Sequence, residues 1–276
     1  MTNPKNYLEF FILLLIIVLS SCNNSEETSM GYQTNIIFLH HSTGGIIWQG
    51  GLSRIARKLG FDGDVSRWFA DYNKTNGKNY LITDANFPNK MGNDPYDYYN
   101  IWVKNAGNEP YEEEPTLEIL TAKYDVIVFK HCFPVSNINP DTAAPDISSN
   151  IRTLANYKLQ YNALKEKMLQ FPENKFIIWT PPARVKNNTN EEEAFRAQEF
   201  SNWVKTEWDI NGDNIYLWDI RELQVEGGLY LKDLYAVEPT NSHPNKKFAE
   251  RVAPYFCQRI VDVIEGRGDA TSLTGK

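Results

Sequence analysis

Residues 35–45 read Asn-Ile-Ile-Phe-Leu-His-His-Ser-Thr-Gly-Gly (NIIFLHHSTGG), an apolar run that turns abruptly polar and then to glycine. The run lacks the in-out alternation of a sheet with one wet face. A short continuous apolar run fits a strand covered on both faces, as in a parallel sheet. Three more stretches share this character: Asp125–Phe129 (DVIVF), Lys175–Trp179 (KFIIW) and Asn214–Trp218 (NIYLW).

Helical patterns lie between these runs. Ile46–Leu59 places Ile47, Leu52, Ile55, Ala56 and Leu59 near one face, and Ile151–Leu169 does the same with Leu154, Tyr157, Leu164 and Met168. Glu191–Trp208 follows Asn190, a good N-cap, with Glu193 placed as in a capping box. A last helix follows His243-Pro244 and carries Phe248, Val252, Phe256 and Ile260, with a kink expected at Pro254. Strand and helix alternating in this way predict an α/β domain with a parallel sheet. Gly60–Thr116, rich in Asn, Asp, Gly, Pro and Tyr, shows only one weak strand, Tyr80–Thr83, and is otherwise expected to be irregular.

The N-terminus carries a targeting pattern. A polar start with Lys5 precedes the apolar run Phe10–Leu19, which is shorter than the roughly 20 residues a membrane span needs. Leu19-Ser20-Ser21-Cys22 follows and resembles the lipobox of bacterial lipoproteins, in which the Cys is acylated and becomes the mature N-terminus. Glu9 departs from the usual basic leader. The alternative is a short anchor helix with a chance Cys at its end. The expected organisation is a signal peptide over 1–21, a lipidated Cys22 with a polar tether over 22–34, one domain over 35–265 and a disordered tail over 266–276. The polar, acidic residues after Cys22 lean toward the outer membrane, on its periplasmic or surface face.

Composition narrows the function. A net charge of −7 argues against a nucleic-acid partner. Aromatic residues make up 13% of the chain, with seven Trp, which suits either sugar stacking or plain core packing. With Cys22 lipidated, Cys132 and Cys257 remain, either as a disulfide or as free thiols.

Ligands of open parallel sheets gather at the carboxyl ends of the strands. The polar segments expected there are His40–Gly45, Lys130–Asn137 and Thr240–Asn245, and all four histidines of the chain fall in these three segments. Two chemistries fit: a serine site, or a metal held by His40, His41, His131 and His243. Adjacent histidines at a strand end point opposite ways, which disfavours the metal.

In order and context these segments resemble the GDSL/SGNH hydrolases over nearly the whole mature chain. The resemblance implies a three-layer α/β/α sandwich with a central parallel sheet of about five strands, and no cofactor. It implies Ser42 as nucleophile and His243, before the last helix, as its base. It implies an oxyanion hole from Ser42, Gly107 and Asn137. The departures are specific. His40-His41 stands where the family has Gly-Asp, Lys130–Asn137 replaces the Gly-x-Asn-Asp block, and Thr240 stands where the family has the acid. Glu238 or Asn241 is then the candidate acid or orienting group, and His41, Lys130 and His131 are candidate pocket-lining residues. Each residue has a plainer reading: Ser42 as a helix N-cap, Asn137 and Gly107 as turn residues, His243 as a cap of the last helix, Lys130 and His131 as structurally paired residues. The implied activity is hydrolysis of acyl esters through a Ser42 acyl-enzyme, on a small-molecule or glycan ester. The competing expectation is a non-catalytic glycan-binding lipoprotein that keeps the fold.

Overall fold

The computed structural model describes residues 32–276, so the expected signal peptide, Cys22 and the tether through Gly31 lie outside the described residues. Strands β1 (Thr34–His40), β2 (Tyr80–Asn86), β3 (Val126–Phe129), β4 (Lys175–Trp179) and β5 (Ile215–Trp218) form one parallel sheet in the order β2-β1-β3-β4-β5. Around it lie helices α1 (Thr43–Gln49), α2 (Arg54–Lys58), α3 (Asp64–Asn76), α4 (Pro95–Tyr99), α5 (Leu117–Thr121), α6 (Leu154–Met168), α7 (Glu191–Trp203), α8 (Ile220–Val225) and α9 (Lys246–Ile264).

The period of two along each strand divides the interior into two cores. Ile36, Phe38, Val128, Ile177 and Trp179 face one way and meet Ile47 of α1, Phe69 of α3 and Val252 and Phe256 of α9. Ile37, Leu39, Ile127, Phe129 and Ile178 face the other way and meet Tyr98 of α4, Tyr157 and Tyr161 of α6 and Phe200 of α7. Helices on both faces of a parallel sheet make the three-layer α/β/α sandwich implied above. Each large apolar side chain buried this way contributes about 1.5–3 kcal/mol. The tryptophans belong to these cores: Trp102, Trp179 and Trp218 are fully buried and Trp48 and Trp208 nearly so, while Trp68 and Trp203 pack at the edges.

Helix starts follow their caps. Asn190 accepts the Glu193 N–H at 2.9 Å to open α7, as its sequence implied, and Asn245 accepts that of Phe248 at 2.9 Å to open α9. Between β5 and α9 the chain makes a small antiparallel hairpin, β6 (Ala236–Glu238) with β7 (Asn241–Pro244).

Three expectations are corrected. The stretch 60–116 is not irregular: it contains α3, the edge strand β2 and α4, which continues as a π-helical turn over Asn100–Lys104. Its apolar stripe is thin, with only Val65 and Phe69 of α3 buried, so polar neighbours mask the period. β2 pairs with β1 from Thr34↔Tyr80 to His40↔Asn86, but of its own residues only Tyr80 and Ile82 are buried. The expected helix Ile46–Leu59 is two helices. Gly50, at φ 54°, ends α1, and a Cβ there would lie 2.1 Å from the Asp64 carboxylate. Ile55 and Leu59 consequently face solvent rather than the core.

The last residues are not a disordered tail. Leu273 packs on the second core, its carbonyl accepts the Asp219 N–H at 2.8 Å, and the Thr274 carbonyl accepts the Trp218 indole N–H at 3.0 Å. Arg259, fully buried, donates to the Gly268 carbonyl at 2.6 Å and to the Thr271 hydroxyl at 3.1 Å. Cys257 is buried in α9 and Cys132 half-buried after β3, and both are free thiols. Deleting residues 272–276 leaves the buried Trp218 indole N–H without its acceptor and is expected to cost about 1–3 kcal/mol in urea denaturation, with the fold retained.

Candidate active site

The strand order reverses between β1 and β3, the point where a parallel sheet opens a crevice at its carboxyl edge. Ser42 stands on that edge, directly after β1, exposed, with φ 47° and ψ −105°. Positive φ in a non-glycine residue costs about 1–3 kcal/mol and persists only where the surroundings impose it. Here they do. Gly44 lies so close over the His40 side chain that a Cβ would come within 2.4 Å of the His40 Cβ. His40 itself is buried, with Nε2 at 3.0 Å from the Asp84 carboxylate of β2. Burial pulls its pKa down and Asp84 opposes that pull.

The β6–β7 hairpin carries His243 to Ser42. The Ser42 hydroxyl donates to His243 Nε2 in a short hydrogen bond. On the other side of the ring, Nδ1 donates to the Asn241 side-chain carbonyl at 2.7 Å, and the His243 backbone N–H donates to the same oxygen at 3.0 Å. An amide oxygen accepts only, so the Nδ1–H tautomer is fixed and Nε2 is left as an acceptor for the serine proton. The Phe133 ring covers the imidazole edge-on at 5.3 Å. The order Ser–His–Asn across 201 residues thus unites three sequence candidates. Glu238, the other candidate for the third position, is exposed on β6 and pairs there only in register with Asn241.

The candidate oxyanion donors divide. Asn137 lies beyond the 3-10 turn Phe133–Ser136 that follows β3, and its side-chain oxygen accepts from Arg184. That bond commits the oxygen and leaves the amide N–H₂ as the free face of the group. Arg184 also binds Asn188, at 2.8 Å from Nη2, and Asn188 accepts the Ser242 hydroxyl at 3.1 Å, one residue before His243. Gly107 does not join the site. Its carbonyl accepts from the Thr116 hydroxyl and its N–H serves the Glu118 carboxylate, which pairs with Lys167 in the last turn of α6. That turn precedes the start of β4, at the amino edge of the sheet, away from Ser42.

The loop that does reach the site was missed. It follows β2: the Pro88 carbonyl accepts His41 Nε2–H at 2.5 Å and the Asn93 carbonyl accepts the Cys132 N–H at 3.0 Å. Extending β2 through Asn86 in the sequence would have placed Phe87–Asp94 at the carboxyl edge. Of the expected pocket-lining residues, His41 is half-buried beside this loop, whereas Lys130 and His131 are buried. The His131 ring lies against Tyr98 at 4.4 Å and Tyr161 at 5.5 Å, and neither of its ring nitrogens has a hydrogen-bond partner. Burial first, and the Lys130 charge second, push its pKa down to about 3. The four histidines therefore have four different environments and do not converge on one point.

Two outcomes follow from these contacts. Gly44→Ala forces a Cβ into His40 and is expected to cost about 1–3 kcal/mol, measured by thermal or urea denaturation. His131 is neutral in the fold and takes a proton near its ordinary value when unfolded. Its contribution to stability is thus present above about pH 6.5 and is lost as pH falls toward about 3. His131→Phe is expected to flatten the loss of unfolding free energy between pH 7 and pH 5, and an unchanged slope would contradict this account.

No family model and no curated protein matches the sequence. Among solved structures the chain is similar to a GDSL-like lipase from Bacteroides thetaiotaomicron, at 12% identity and TM-score 0.36, over 88% of this chain and 94% of that one. It is also similar to a family two carbohydrate esterase from Cellvibrio japonicus, at 9% identity and TM-score 0.42, over 84% of this chain and 62% of that one.

Proposed function

We propose that the protein is a serine ester hydrolase that works through a Ser42 acyl-enzyme. The observation that carries this reading is the continuous hydrogen-bond chain from Ser42 through His243 to Asn241. Ser42 attacks the ester carbonyl while His243 Nε2 takes its proton and then delivers it to the leaving alcohol. Water, activated by the same nitrogen, releases the acyl group. The Ser42 N–H and the Asn137 amide are the proposed donors to the tetrahedral oxyanion, each such donor contributing about 3–4 kcal/mol. Asn241 holds the ring and its tautomer, as a carboxylate would, but brings no charge to the imidazolium.

The substrate class we assign is acyl esters, with acetyl groups on glycans first. The support is a site on an open edge, in a chain whose N-terminus resembles that of an exported lipoprotein. We propose anchoring through a lipid on Cys22, at the outer membrane. The neutral Asn241 favours one second reading, a glycan-binding lipoprotein without catalysis.

A fluorophosphonate probe separates the two. The purified protein is expected to label, Ser42→Ala and His243→Ala to lose labelling, and Asn241→Ala to label about 10²-fold more slowly. No labelling of the parent protein, with glycan binding retained, selects the binder. Acetate release from acetylated xylan, pectin or peptidoglycan tests the substrate class, and activity confined to lipid or aryl esters removes glycans from it. Cys22→Ser is expected to move the protein out of the membrane fraction, and its continued presence there removes the lipid anchor.

A further inference from the structure

We propose that the Lys130 ammonium is a positioning group: it holds the turn that carries Ser42 and sets the charge environment of His243. The proposal rests on the serine-hydrolase reading for its consequence, though not for its geometry. Lys130 is the first residue after β3 and is 1% exposed. Its Nζ donates to the His41 carbonyl at 3.3 Å and to the Cys132 sulfur at 3.3 Å. Among the described residues no carboxylate neutralises it, and burial pushes its pKa down. Keeping an unpaired cation in the interior is costly, so a purely structural position would be better filled by Leu or Met.

The His41 carbonyl explains its use. Positive φ at Ser42 turns the preceding peptide so that this oxygen points inward, where it accepts the Gly44 N–H at 2.9 Å as well. Lys130 is the second donor to the same oxygen. It thus fastens the one peptide whose orientation exposes the serine hydroxyl.

The charge has a second effect. The groups facing His243 are the Ser42 hydroxyl from the β1–α1 turn, Asn241 from β7 and the Phe133 ring, with Glu238 exposed across the hairpin. Burial first and Lys130 second lower the His243 pKa. The groups facing Lys130 are His40, His41, His131 and Cys132, and the lysine charge opposes protonation of His40 and His131 as well. A neutral Asn241 on one side and a cation behind the turn therefore keep His243 available as a base at lower pH. The same cation favours negative charge on the tetrahedral adduct above it.

The experiment uses Lys130→Met, which removes donor and charge, and Lys130→Gln, which keeps a donor and removes the charge. Three quantities are read: the midpoint of His243 titration by NMR, the pH dependence of fluorophosphonate labelling, and the melting temperature. The wild-type midpoint is expected below that of an ordinary imidazole. Both variants are expected to raise it and to move the acid limb of labelling upward in pH. Lys130→Met is expected to slow labelling about tenfold or more, since it loses a charge-assisted bond at the nucleophile turn, and Lys130→Gln less. A wild-type midpoint at or above the ordinary imidazole value overturns the proposal whether or not either variant folds. Unchanged midpoints and labelling in the folded variants overturn it equally. A wild-type protein that never labels defeats the hydrolase reading alone, because the NMR midpoints still decide the role of Lys130.

Discussion

Burial of the central sheet on both faces is the constraint that organises this protein. β1, β3, β4 and β5 have helices above and below them, so their side chains are apolar whichever way they point. Polar residues can then appear only where strands end. At the amino edge they are spent on structure: Asn174 and Asn214 tie loops together, and Glu118 pairs with Lys167. At the carboxyl edge the crevice between β1 and β3 collects Ser42, Lys130 and Cys132. The β6–β7 hairpin adds His243 from a part of the chain that contributes nothing to the sheet.

Within the site, the forces holding the pieces in place are unequal. The His243 ring is held at both nitrogens by groups from two separate elements, which fixes its tautomer without any carboxylate. Ser42 is held against its conformational preference. Gly44 lying on His40, the His40–Asp84 pair and the Lys130 bond to the His41 carbonyl all act on the same short turn. Strain at one residue is thus offset by packing and hydrogen bonding spread over three strands.

Much of this was legible in the sequence. Uninterrupted apolar runs disclosed four strands, because strands buried on both faces have no polar alternation to confuse them. β2 was nearly invisible for the opposite reason: only Tyr80 and Ile82 of its seven residues are buried. The polar turn NIIFLHHSTGG and the block NSHPN disclosed Ser42, His243 and Asn241, since the chemistry sits next to strong strand and helix signals. Gly107 was misplaced because its order and spacing were right while the path of the chain was not. A glycine in a loop carries no signal of which edge of the sheet the loop visits. Lys130 and His131 could be read equally as pocket-lining or as structural residues, because charge and a ring nitrogen just after a strand suit either place. Their burial follows from tertiary packing: Tyr98 and Tyr161 lie against the His131 ring, and the His41 carbonyl takes the Lys130 ammonium.

The direction of β1 has a consequence for reach. The chain enters the sheet at Thr34 and arrives at Ser42 one strand later, a rise of roughly 20 Å along the strand. Thr34 and Ser42 therefore lie on opposite edges of the sheet. A change made where β1 begins is a full strand away from the serine, whereas one made where β1 ends acts on the turn that carries it.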